Sequence, residues 1–175
     1  MSSTVLPAVY ETASLPGRAL ALLDRAVMVA VVAAVAVMVG VVSAQVLLRY
    51  GFNLSIDWAD ELSRMAFVWS IFLAIPLGVR QGAHIGIDIV VQRMPAAVQA
   101  VFRRGAAALS ALMMFAIAWA GVGVAQEQWD ELMATLDWSV GWFIVPVCAG
   151  AALSGLHLVR IALMGPPLAH AGAAE

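Results

Sequence analysis

The sequence predicts an all-α integral membrane protein with four transmembrane helices, and three observations carry that reading. Hydrophobic residues make up 63% of the 175-residue chain and charged residues only 11%, far from the roughly one-quarter charged of soluble domains. The charges bound four charge-free runs: Ala26 to Leu48 (23 residues), Met65 to Val79 (15), Gly105 to Gln126 (22) and Trp138 to Val159 (22). Three of these match the roughly 20 residues that cross about 30 Å of hydrocarbon.

Residues 1 to 16, with Pro7 and Pro16, read as a flexible tail, and an amphipathic lead-in starts from about Gly17. The first span covers about 26 to 48. "VSAQ" at 42 to 45 resembles a signal-peptide cleavage site, but the apolar run before it is too long and the tail is not cationic at its start. Helix 1 is therefore expected to remain as an anchor.

The second run is too short. At about 1.5 Å per residue, 15 residues reach only about 22 Å, so this helix recruits its flanks and is expected at about 58 to 79. The recruited stretch, "IDWADELSRMAFVW" at 56 to 69, crowds Asp57, Asp60, Glu61 and Arg64 against an apolar run. Either these charges form a functional cluster or they seat the helix at a water boundary. Acidic groups in a first turn complement the helix dipole, Ser55 or Asp57 can cap it, and Trp58 suits an interface.

Between helices 2 and 3, "VRQGAHIGIDIVVQRMP" is too poor in apolar residues to span and reads as a short interfacial segment. Helix 3 starts near Met94, with its span at about 100 to 126. The loop at 127 to 137 holds four acids and no base, the fourth span covers about 138 to 160, and 165 to 175 reads as a disordered tail. Residues 17 to 164 thus form one four-helix membrane domain. Pro76 and Pro146 can kink helices 2 and 4, and Gly121, Gly123, Gly150 and Gly155 permit close helix contact.

Every base is arginine. Arg18, Arg25, Arg80, Arg93, Arg103, Arg104 and Arg160 fall on one side, and Arg49 and Arg64 on the other, which puts both termini in the cytoplasm and the two acidic stretches outside.

Enzyme chemistry has little to stand on. Cys148 is the sole cysteine and reads as a small packing residue. His157 is the one histidine within a span and reads as a hydrogen-bonded interfacial group, not a haem ligand. His84 lies in a loop and His170 in the tail. No nucleotide-binding, zinc-protease or serine-hydrolase motif is present, so no cofactor or metal is expected. The four charge-free runs hold no Asp, Glu, Lys or Arg, a poor basis for an ion-coupled transport pathway within this chain.

Residues 49 to 95 resemble the small permease subunit of tripartite ATP-independent periplasmic (TRAP) transporters, the DctQ-like family. The matching positions are Arg49, Tyr50, Phe52, Asn53 and Ser55, then Trp58, Glu61, Arg64 and Trp69, then Gly78, Arg80, His84, Ile85, Asp88 and Pro95. Asp60 with Glu61 replaces two glutamates, and Pro76 stands where a glycine is commoner. The resemblance implies a multi-pass protein of the bacterial inner membrane. It also implies a large DctM-like permease partner that holds the substrate and sodium sites, and a DctP-like periplasmic binding protein that delivers organic acids such as C4-dicarboxylates. The small subunit would hold the moving partner in place.

The residues that would anchor helices or meet partners are Arg49, Asn53, Asp57, Trp58, Glu61, Arg64, Trp69, Arg80, His84 and Asp88. Arg93, Arg103 and Arg104 would hold lipid headgroups. Asp88 is expected to pair with Arg80, His84 or Arg93, Asp60 to pair with Arg64, and Glu61 and Arg64 to bury against a neighbouring subunit. The competing reading is a free-standing small membrane protein that binds lipid or forms a homo-oligomeric channel.

Overall fold

A computed structural model describes residues 15–80 and 95–164. Residues 1–14 of the expected N-terminal tail, the expected interfacial segment up to Met94 and the C-terminal tail lie outside them, whereas Leu15 and Pro16, expected in the tail, are wound into the first helix. Among the described residues four α-helices form, each long and apolar enough to cross a membrane: α1 (Leu15–Gly51), α2 (Ala59–Arg80), α3 (Ala96–Glu127) and α4 (Val145–Met164). Among the described residues no strand is present, only an isolated bridge between Leu132 and Ser139.

The lead-in and first span are one helix. α1 has 37 residues and is about 55 Å long, more than the about 40 to 45 Å of a bilayer with its headgroups, so it tilts or projects. α2 has 22 residues, or about 33 Å, because the charged turn from Ala59 to Arg64 and the terminal Arg80 are wound into the helix. The sequence supplies the reason at α1's far end. Asn53 adopts φ 53°, a conformation in which asparagine is less strained than most side chains, and the Leu54 N–H returns to the Leu48 carbonyl at 3.1 Å.

The helices stand side by side in the order α1, α2, α4, α3, with α1 packed on α2, α2 on α4, and α4 on α3. The outer helices each bury a single stripe. From Leu20 onward in α1 it is Leu20, Asp24, Val27, Val31, Ala34, Met38, Val41, Gln45 and Leu48, and over that described stretch only Ala21 and Ala30, beside it, are otherwise sheltered. The spacing alternates four and three throughout, the heptad seam of left-handed helix packing. In α3 the stripe runs through Ala107, Ala111, Met114, Ala118, Gly121 and Ala125. The inner helices are buried on two sides, and Val79, Ala111 and Leu158 meet at the core with Ile75, Met114 and Val159 around them.

Small residues set the approach of the helices. A methyl group at Gly150 would collide with the Phe72 carbonyl oxygen of α2, one at Gly121 would lie 2.7 Å from Cys148 Sγ, and one at Gly155 would lie 3.0 Å from the Phe115 ring. Gly123, expected to act likewise, faces open space. Its place on α3 is off the buried stripe, so it brings no helix closer. Pro76 is fully buried within α2. Pro146 is the second residue of α4, where its missing N–H would have no helical partner in any case, so it opens the helix and does not kink it.

Candidate functional site

Polar side chains gather at the two ends of this row, and the Glu61 end is built around one carboxylate. The loop leaving α3 doubles back on itself: Met133 N–H donates to the Trp138 carbonyl at 2.9 Å and Val140 N–H to the Glu131 carbonyl at 2.8 Å. Its tip presents three consecutive backbone N–H groups to Glu61. Ala134 N–H donates to Oε1 at 2.8 Å, while Thr135 N–H (3.0 Å), Thr135 Oγ1 (2.5 Å) and Leu136 N–H (2.9 Å) donate to Oε2. Successive N–H groups converging in this way form a nest for an anion, here filled by the chain's own side chain.

The loop then enters a 3₁₀ turn, Val140–Phe143, where Ser139 Oγ accepts from Gly141 N–H at 3.0 Å. Gly141 admits no side chain, since a methyl group would lie 2.8 Å from the Trp129 ring. Trp142 stands between Trp69 and Trp129, with ring centroids 6.2 and 5.9 Å away. Trp69 Nε1 donates to the Trp142 carbonyl at 3.0 Å, so Trp69 ties α2 to the 3₁₀ turn that leads into α4. Beside these rings Met65, Trp69, Trp138 and Trp142 line an apolar groove of about 400 Å³.

The charged quartet divides around α2. Glu61 turns to the loop, whereas Asp60 turns to α1 and accepts from Gln45 Nε2 at 3.4 Å. The expected Asp60 pairing with Arg64 does not form among the described residues: Asp60 turns to Gln45 of α1, and Arg64 is exposed. Asp57 is exposed and accepts from Ser55 Oγ at 3.5 Å. Trp58 is 43% exposed at the helix entry, and Arg49 is exposed in the last turn of α1. Asn53 has its own local role in reversing the chain. Arg103 is partly buried and Arg104 exposed near the start of α3. His84, Asp88 and Arg93 lie outside the described residues.

The opposite end holds a cluster that the sequence reading did not assemble. Asp24 of α1 is 4% exposed; His157 Nε2 of α4 lies in hydrogen-bond contact with its Oδ1 at 2.9 Å, and Arg80 Nη1 at the end of α2 forms an ion pair with its Oδ2 at 3.2 Å. Three helices therefore meet on one buried carboxylate. Arg80, expected among the helix-anchoring or partner residues, is engaged with Asp24. The signal was present in the sequence, because Asp24 falls on the heptad stripe of α1 at a position that must face the neighbouring helices.

The family model for the DctQ component of tripartite ATP-independent periplasmic transporters matches residues 38–164. The chain belongs to the DctQ family. Similar proteins include a TRAP transporter small permease protein of Haemophilus influenzae, 32% identical over 81 residues that cover 46% of this chain and 50% of that one. Another is the C4-dicarboxylate TRAP transporter small permease protein DctQ of Vibrio cholerae, 34% identical over 59 residues, 34% of this chain and 25% of that one. A third is the sialic acid TRAP transporter permease protein SiaT of Haemophilus influenzae, 36% identical over 56 residues, 32% of this chain but 9% of that one. The chain spans about half the length, or less, of these curated relatives. DctQ membership, with the four apolar helices, makes this a multi-pass protein of the inner membrane and a transporter component, not an enzyme.

Proposed function

We propose that this chain is the small membrane subunit of a TRAP transporter, a scaffold for a larger permease subunit during ion-gradient-driven uptake of organic acids delivered by a periplasmic binding protein. The observation that carries the reading is where the charge lies. The four apolar runs hold no Asp, Glu, Lys or Arg, and two of the carboxylates near their ends, Glu61 and Asp24, are engaged in holding helices and loop together. A pathway coupled to an ion gradient needs ionisable or coordinating groups at membrane depth. That machinery therefore belongs to another subunit.

A large partner fits the comparison with SiaT, in which the stretch like this chain occupies 9% of a single polypeptide. C4-dicarboxylates are the substrate class favoured by the name of the Vibrio cholerae relative. The arginine distribution puts the Glu61 end, with exposed Asp57, Asp130 and Glu131, in the periplasm, where a binding protein would arrive. The exposed flanks of α1 and α3 face lipid or the larger subunit.

The test is uptake into proteoliposomes under an imposed sodium gradient. The chain alone should accumulate no C4-dicarboxylate, and accumulation should require the large permease and the binding protein together. Sodium-dependent uptake by the chain alone would refute the scaffold reading.

A further inference from the structure

We infer that Asp24 sets the register of α1 against the rest of the protein. The seam of α1 is built of interchangeable residues, mostly valine, alanine and leucine, repeating at spacings of four and three. Such a seam stays apolar if the helix slides by one turn, and inside a bilayer no hydrophobic term opposes the slide, because lipid is as apolar as the seam. Only two seam positions are polar, Asp24 near one end and Gln45 near the other. A polar residue at a seam position is the device by which packed helices select one register.

The two contacts are unequal. Gln45 meets Asp60 at 3.4 Å in an exposed setting, where water or headgroups can replace either partner. Asp24 is buried, with Arg80 at 3.2 Å and His157 at 2.9 Å on two different helices. Sliding α1 by three or four residues displaces that carboxylate by about 4.5 or 6 Å, breaks both contacts and strands a buried charge. Asp24 is thus a positioning residue, and the α2 and α4 ends form its receptor. The inference concerns contacts within the chain and stands whether or not the transport role proposed above is correct.

The experiment moves the acid and asks whether the helix follows. In full-length protein in membrane vesicles, with Cys148→Ser, a cysteine at Asp60 is paired with a single cysteine at Val41, Gln45 or Leu48, and cross-linking rates are compared. With Asp24 in place, position 45 reacts fastest. Exchanging the acid with Val27 (Asp24→Val with Val27→Asp) should transfer the preference to position 48, and exchanging it with Leu20 (Asp24→Leu with Leu20→Asp) should transfer it to position 41. Each transfer should change the rate ratio by about tenfold, the scale set by two interhelical polar contacts.

The double variant Arg80→Gln with His157→Gln leaves α1 unaltered and should flatten the preference for position 45. In a parallel chain that keeps Cys148, Gly121→Cys should still form its disulfide across α3 and α4 in every variant, which localises the change to α1. A preference that stays at position 45 in both exchanges, or that survives the double variant undiminished, would overturn the inference.

Discussion

At the scale of single residues, Glu61 and Asn53 show how different physical demands sit within one short motif. Glu61 satisfies three backbone N–H groups and a hydroxyl from a loop more than 70 positions away. Replacing it with alanine should leave α2 helical but raise amide hydrogen exchange at Ala134, Thr135 and Leu136 by roughly an order of magnitude, since each N–H loses its protein partner. Glu61→Gln should fall between, because an amide retains one acceptor oxygen. Asn53 needs only its backbone: Asn53→Gly should be tolerated, whereas Asn53→Val should cost about 1 to 2 kcal/mol in thermal unfolding, the steric cost of a left-handed conformation for a branched side chain. Sequence reasoning picked out both positions but not their reasons. The first requires knowing that the acidic loop folds back over α2, and the second a turn geometry that the string "GFNLS" does not dictate.

At the scale of the elements, composition and run length were enough to find four helices, because crossing a bilayer leaves a chain few other options. What they concealed was continuity and contact. The charges Asp24 and Arg25 interrupt the apolar run without ending the helix, since an acid on the buried stripe is matched by Arg80 and His157. The glycines separate on the same principle of location. Gly150→Ala places a methyl group against the Phe72 carbonyl and should destabilise by about 1 to 3 kcal/mol as α2 and α4 are forced apart. Gly123→Ala meets nothing and should be neutral or slightly stabilising, by up to about 1 kcal/mol, because alanine is the better helix former. Thermal unfolding in detergent distinguishes the two.

At the scale of the whole molecule, the row of helices has inner members buried on two sides and outer members buried on one, so broad apolar flanks remain for lipid or for another protein. From the arginine asymmetry we propose cytoplasmic termini, so reporter fusions after Glu175 should be active only in the cytoplasm, while fusions within 128 to 136 should report the periplasm. A periplasmic terminus after Glu175 would invert the assignment of the Glu61 end to the binding-protein side. The central claim is that this chain works as part of a larger permease, and the most direct measurement is affinity purification of the tagged chain from its native membranes, followed by mass analysis of the intact complex. Stoichiometric recovery of one much larger polytopic membrane protein with this chain is expected; recovery of this chain alone, as a monomer or as a homo-oligomer, would contradict a role within a larger permease.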